Sequence, residues 1–254
     1  MKKFPSEFAD LLNREGRRVL AGASPLCGAL ADPRRRFIAA GALIKPQKAR
    51  AAAALLNRTL YDSLSRIDQP IPPEAMWEMT ENYSEMLPKT ARVKTAYLDR
   101  RRARAYKAAE AAGLVAMLRS ESFGAIAAAL AGRELRPRWG IQALCYGPGD
   151  YAGPHNDHHP EETAASRGYL DMHVTLAGPG VAHQWLVYAR QGHFSEVVDV
   201  ATAGGLTAYR LPFWHYTTPL VAKRGAREAD ARRWVLLGTF LYKQPFVADD
   251  KSRG

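Results

Sequence analysis

Cysteine is almost missing from this chain. Cys27 and Cys145 are the two among 254 residues, too few for disulfides to stand in for a packed core. No apolar run approaches eighteen residues, so no membrane span is expected. Behind Met1-Lys2-Lys3 the sequence turns acidic and amphipathic at Glu7, so no secretory leader is expected either. The patterns Gly-x-Ser-x-Gly and His-Glu-x-x-His are absent, which sets aside the common serine-hydrolase and zinc-protease constellations. No internal repeat or low-complexity segment stands out. What remains is ordinary in bulk: 47% hydrophobic and 24% charged residues. That composition and length fit a cytoplasmic protein with one large domain, or one domain with a helical extension.

Acidic residues are outnumbered. Lys and Arg total 36 against 25 Asp and Glu, a net charge of +11. Most of the excess lies before residue 110, including Arg100-Arg101-Arg102-Ala103-Arg104. Such asymmetry fits a polyanionic partner or a solvated, arginine-rich helical face. The aromatic interleaving of single-strand nucleic-acid binders is thin here, which favours the solvated face.

Residues 1–135 read as helical. Ser6 is placed to cap a helix carrying Phe8, Leu11, Leu12 and Val19. Pro46 suits a first helical turn, and Leu56, Leu60, Leu64 and Ile67 continue a helical stripe up to the proline-rich stretch at 70–73. A further helix is expected over 74–87, and two alanine-rich ones over 104–119 and 122–131, with Ser122 as cap and Gly132 as stop. From Arg138 the period changes to two. Strands are expected over 139–146, 168–176, 184–189, 194–200, 206–211, 214–221 and 233–242, with turns at Gln191-Gly192 and Gly204-Gly205. Many short strands preceded by helices predict an α+β protein: a jelly roll, or double-stranded β-helix, with an N-terminal helical region and supporting helices. The expected division is a helical region over 1–103, the jelly-roll domain over 104–246 and a frayed tail over 247–254.

The chemistry concentrates in Cys145-Tyr146-Gly147-Pro148-Gly149-Asp150-Tyr151-Ala152-Gly153-Pro154-His155-Asn156-Asp157. A strand and a Gly/Pro turn lead into His-x-Asp, whose two side chains share one side if the chain runs straight. His215 follows on a separate strand. Two imidazoles and one carboxylate form the facial triad that holds iron(II) and leaves the opposite coordination face open.

At this point the chain resembles the 2-oxoglutarate/iron(II)-dependent oxygenase superfamily, in its prolyl-4-hydroxylase-like and AlkB-type branches. The resemblance runs over about residues 136–243. It rests on Tyr146-Gly147-Pro148-Gly149 with His155-Asn156-Asp157, on Gly204-Gly205-Leu206-Thr207, on His215-Tyr216-Thr217-Thr218-Pro219-Leu220, and on Arg233-Trp234-Val235-Leu236-Leu237-Gly238-Thr239-Phe240. It implies that His155, Asp157 and His215 hold Fe(II). It implies further that Arg233 pairs with the distal carboxylate of 2-oxoglutarate, Tyr146 hydrogen-bonds that cosubstrate, and O2 is consumed, with ascorbate as a further reductant in some relatives. Arg224, Arg227 and Arg232 are alternatives to Arg233. Arg233 is preferred because Val235 and Leu237 share its side of the strand. Asp157 favours hydroxylation over halogenation, since halogenases of this family carry a small residue there. Val235 and Thr239 stand where AlkB-type enzymes carry an arginine and an asparagine, which points away from nucleobases.

Other residues stay open. His173 and Thr175 are candidates for 2-oxoglutarate contacts. Asn156, His158, His159 and Trp214 are candidates for substrate contacts or for bracing the ligands. His183 and His193 read as structural. The expected substrate is a small molecule or a protein side chain rather than nucleic acid, selected by the 161–167 loop and the 223–231 insert. The alternatives are an AlkB-type demethylase and a non-catalytic, cupin-like metal-binding or sensor module. Oligomeric state is left open, a homodimer included.

Overall fold

The computed structural model describes residues 1–70, 90–157, 168–190 and 192–244. The helix expected over 74–87, His158, His159, Gln191, the 161–167 loop and the 247–254 tail lie outside these residues. The helices are α1 (Arg14–Leu20), α2 (Pro46–Thr59), α3 (Arg104–Ala111), α4 (Leu114–Leu118) and α5 (Glu121–Ala131). The strands are β1 (Phe37–Ala42), β2 (Ser65–Pro70), β3 (Thr90–Tyr97), β4 (Gly140–Tyr146), β5 (Tyr151–His155), β6 (Tyr169–Ala177) and β7 (Val181–His183). They continue with β8 (Trp185–Arg190), β9 (His193–Asp199), β10 (Gly205–Arg210), β11 (His215–Thr217), β12 (Val221–Ala222) and β13 (Arg233–Leu241).

Eleven strands form one antiparallel sheet in the order β1-β10-β6-β13-β4-β3-β5-β11-β8-β9, with β2 paired to β3. This rolled, nearly closed sheet is the jelly-roll core, and β7 and β12 make a small separate ribbon. Period two gives the central strands two different faces. One face carries Ile141 and Ala143 of β4, Met172 and Val174 of β6, and Trp234 and Leu236 of β13, packed with the helices in a single apolar cluster. The opposite face points into the barrel with Gln142 and Tyr146, Asp171 and His173, Arg233 and Val235. Both faces are covered, so β6 and β13 read as long buried runs.

The helices follow local rules. Asn13 caps α1 by accepting from Gly16 N, and Ser120 caps α5 by accepting from Phe123 N at 3.3 Å. Gly132, at φ 62°, ends α5 in the left-handed conformation. Phe123 packs edge-on against Phe8 and tilted against Phe240. It also fills the space over Gly238, where a Cβ would come within 2.7 Å of the Phe123 and Phe240 rings.

Several expectations fail in the first half. Ser6 caps nothing; a 3-10 turn at Phe8–Leu11 precedes α1, and Asn13 takes the capping role. The leucine stripe from Leu56 does not continue one helix. It ends at Thr59, and Ile67 belongs to β2, paired with Val93. The region before residue 104 therefore contributes three strands, β1, β2 and β3, to the main sheet. Ser122 is not the cap of α5; its hydroxyl donates to the Glu7 carboxylate at 2.6 Å. Residues 114–131 do reach membrane-spanning composition, with a mean hydropathy of 1.4. They form two helices broken at Arg119-Ser120, and their apolar side chains belong to the core.

Gly238→Ala is expected to cost about 1–3 kcal/mol by forcing the two phenylalanine rings apart, the usual price of overpacking a filled core. Urea denaturation of the variant against the parent protein checks this.

Candidate metal centre

The turn before β5 is over-determined. Asp150 N donates to Gly147 O at 3.0 Å, and the Asp150 carboxylate accepts from Gly147 N at 2.8 Å. Gly149 sits at φ 79°, which glycine adopts freely. Arg66 of β2 grips the same carboxylate with both terminal nitrogens, at 2.8 and 2.7 Å. Asp150 O in turn accepts from Leu220 N at 2.9 Å and Gln184 Nε2 at 3.1 Å. The turn is thus tied to the segment that leaves β11.

β5 then pairs with β11, and the register sets His155 directly opposite His215. The two imidazoles are fixed by the same local device. His155 Nδ1 lies 2.7 Å from Gly153 O, and His215 Nδ1 lies 2.7 Å from Phe213 O. A carbonyl only accepts, so each Nδ1 carries the proton and each Nε2 keeps its lone pair for a metal. The Nε2 atoms face Asp157, at 3.3 Å from His155 and 3.7 Å from His215. All three ligand atoms lie within 4.8 Å of one another. Ligands on one face of an octahedral ion stand about 3 Å apart, so the donor set fits a divalent metal of the iron type.

The chain does not run straight to Asp157, as the shared-side argument requires. Asp157 has φ 54°, a positive value found at no other non-glycine position among the described residues. The left-handed turn swings the carboxylate back over the imidazoles, and aspartate tolerates that conformation better than most residues. Burial, with repulsion from His155 second, lowers the His215 pKa to about 4 against the opposing pull of Asp157. His215 is therefore neutral and able to ligate at physiological pH.

Arg233 enters the same cavity from β13. Its Nε donates to Val200 O at 2.9 Å, one terminal nitrogen to Gln184 Oε1 at 2.9 Å, and the other to Thr175 Oγ1 at 3.3 Å. Its guanidinium lies 5.4 Å from the centre of the Tyr146 ring. The side chain is buried, and burial lowers its pKa to about 10. No carboxylate forms a salt bridge with it among the described residues. Arg233 is thus a buried cation held by neutral acceptors, an arrangement that suits a carboxylate ligand.

The cavity measures about 490 Å³, and His155, Asp157, His215, Tyr146, His173 and Arg233 all line it. Thr175 stands behind Arg233. Arg224 is exposed and does not line the cavity, Arg227 pairs with Asp230, and Arg232 pairs with Glu228. Asn156 is buried with its carbonyl accepting from Phe213 N, and Trp214 is half-buried; neither lines the cavity. His173 faces Tyr209 rather than Arg233. The Tyr209 hydroxyl lies 3.0 Å from His173 Nε2 and 3.4 Å from His215 Nε2. Burial is the main cause that lowers the His173 pKa to about 3.

Sequence reasoning missed Tyr209, Thr217 and Gln184. Thr217 accepts from Ala152 N and hydrogen-bonds Tyr146. The alternation Thr207-x-Tyr209-x-Leu211 was the available signal for Tyr209. Gln184, at a strand edge, gave none.

No protein-family model and no curated protein sequence matches the chain. Solved structures do resemble it. The epimerase SnoN from nogalamycin biosynthesis, described as non-haem and α-ketoglutarate dependent, aligns over 94% of this chain and 91% of its own. That alignment has a TM-score of 0.51 at 13% identity. A Pseudomonas putida prolyl-4-hydroxylase covers 86% of this chain and 99% of its own, with a TM-score of 0.49 at 18% identity. At 13% identity the SnoN alignment shows a shared fold, that of a non-haem, α-ketoglutarate-dependent enzyme.

Two buried histidines with depressed pKa values make the metal-free protein acid-sensitive. Between the ordinary histidine pKa of 6.5 and the folded values of about 4 and about 3, the unfolded chain binds more protons than the folded one. Stability is then full above pH 6.5 and falls as pH drops below it, by about 3 kcal/mol for His215 alone. Thermal melts of the metal-free protein from pH 7.5 to 4.5 check this, and His173→Asn is expected to flatten the slope.

Proposed function

We propose that this chain is an Fe(II)- and 2-oxoglutarate-dependent oxygenase that hydroxylates a small molecule or a protein side chain. One observation carries the reading: a His-Asp-His triad and a buried arginine that forms no salt bridge among the described residues open into one cavity of a jelly roll. The overall reaction balances as R–H + 2-oxoglutarate + O2 → R–OH + succinate + CO2. Bound Fe(II) would supply the open coordination positions at which 2-oxoglutarate and O2 meet.

The chain's own residues do the rest. His155, Asp157 and His215 would hold the metal by one face. Arg233 would take the distal carboxylate of 2-oxoglutarate with its planar fork, so that the keto-acid end points toward the triad. Gln184, Thr175 and Val200 O orient that fork before the ligand arrives, which lowers the cost of ordering it. Tyr146, held by Thr217, would offer its hydroxyl to the cosubstrate. Val235, Leu237 and Leu186 give the cavity apolar walls, which would limit the water around the reacting centre.

Anaerobic addition of Fe(II) and then 2-oxoglutarate is the test. The expected result is a weak visible charge-transfer band in the parent protein and no band in His155→Ala. In Arg233→Ala the affinity for 2-oxoglutarate should fall about 30-fold or more, the cost of removing one side of a buried charge pair. Iron binding without a band would overturn the role of 2-oxoglutarate. Absence of iron binding would leave a metal-free binding module.

A further inference from the structure

The polarity of the barrel interior is not explained by the cosubstrate. Along β6 the inward side chains are Thr175, His173 and Asp171 in succession. Thr175 touches Arg233, and His173 reaches Tyr209 beside the triad. Asp171 lies four residues from Thr175, about 13 Å along the strand. It pairs in register with Tyr209 on one side and Thr239 on the other. The interior thus has a buried cation at Arg233 and, four residues along β6 from Thr175, a buried carboxyl group at Asp171.

Asp171 is a carboxylate left incomplete. It is only 4% exposed, yet it lines the cavity. Its side chain takes a hydrogen bond from Thr239, while Oδ1 has no partner among the described residues. A buried acceptor without a donor is costly and calls for a ligand. Burial, with the charge of Asp157 second, raises its pKa to about 8, as expected for a carboxylate that lacks a cation. The nearby Asp99 differs, since Arg119 and Ile141 N already occupy it. Around Asp171 stand Gln142, Thr239, Tyr169 and Tyr97, and Tyr97 is exposed at the rim.

We infer that Asp171 is the specificity-determining residue of a substrate subsite that takes a cationic nitrogen, an ammonium or guanidinium group. The inference rests on the proposed function, because it assigns the rest of that cavity. An ammonium at Asp171 supplies the missing donor as a charge-assisted hydrogen bond. It also places the carbons next to the nitrogen toward the triad, on the side away from Arg233. The nitrogen source is a free amine or the side chain of a peptide, and the two are separable by experiment.

The test is calorimetric titration, under anaerobic conditions, of the protein loaded with Fe(II) and 2-oxoglutarate. The probes are n-hexylamine against 1-hexanol, and a nine-residue alanine peptide with a central lysine against the same peptide with norleucine. The parent protein is expected to prefer at least one cationic probe to its neutral partner by about tenfold, the worth of one charge-assisted hydrogen bond. Asp171→Asn, close in shape, should abolish that preference while thermal melting confirms a folded protein. Tighter binding of the peptide identifies a protein side chain as substrate, and tighter binding of the free amine a small molecule. Equal binding of charged and neutral probes by the parent overturns the inference, as does a preference that survives in Asp171→Asn. The visible 2-oxoglutarate band, read on the same samples, reports on the proposed function separately. An Asp171-dependent amine preference without that band would sink the oxygenase reading and leave the subsite standing.

Discussion

The register that sets His155 opposite His215 is the constraint on which the site depends. A one-residue slip between β5 and β11 would turn one imidazole to the other face of the sheet and leave two ligands instead of three. Much of the surrounding structure resists that slip. Arg66 and Asp150 fix the turn before β5, Thr217 catches Ala152 N, and Gln184 joins the turn to the exit of β11. Gln184 also holds Arg233. Arg233 and the candidate metal ligands are therefore positioned by one connected set of polar bonds rather than independently.

The sheet divides its labour by face. The outer side of its central strands β4, β6 and β13 is apolar and packs with the helices in one buried cluster, which supplies hydrophobic stabilisation. Its inner side carries the polar groups that an apolar core would penalise, and each lies close to a compensating neighbour or to the cavity. The excess positive charge lies elsewhere. Arg100, Arg101, Arg102 and Arg104 are exposed and none lines the cavity, but the first three sit in the turn before α3 rather than on the expected helical face.

Legibility followed the range of the interaction that decides each element. Most strands from Gly140 onward could be read because their alternation and turn residues are local, but β5 and β7 were not among those expected, and the strand expected over 214–221 is two, β11 in the main sheet and β12 in the separate ribbon. Arg233 could be chosen over Arg232 by parity along one strand, and the structure puts the first inside the barrel and the second beside Tyr61. β2 could not be read. Its Ile67 prolongs a leucine stripe that suits a helix, and only the pairing of Ser65–Pro70 with β3 overrides it. β1 offers Phe-Ile-Ala-Ala-Gly-Ala, with too little alternation to announce an edge strand. The left-handed turn at Asp157 and the unmet oxygen of Asp171 are tertiary facts. A sequence shows a charged residue within an apolar strand, but not whether another part of the chain neutralises it.

β13 is the last strand in chain order among the described residues, yet it lies between β6 and β4 and bridges the two halves of the sheet path. A chain emerging from the ribosome can assemble β1, β10 and β6 as one ladder, and β4, β3, β5 and β11 as another. Until β13 arrives, no strand among the described residues joins them. It also carries Arg233, so closing the sheet path and burying the arginine in the cavity are one event.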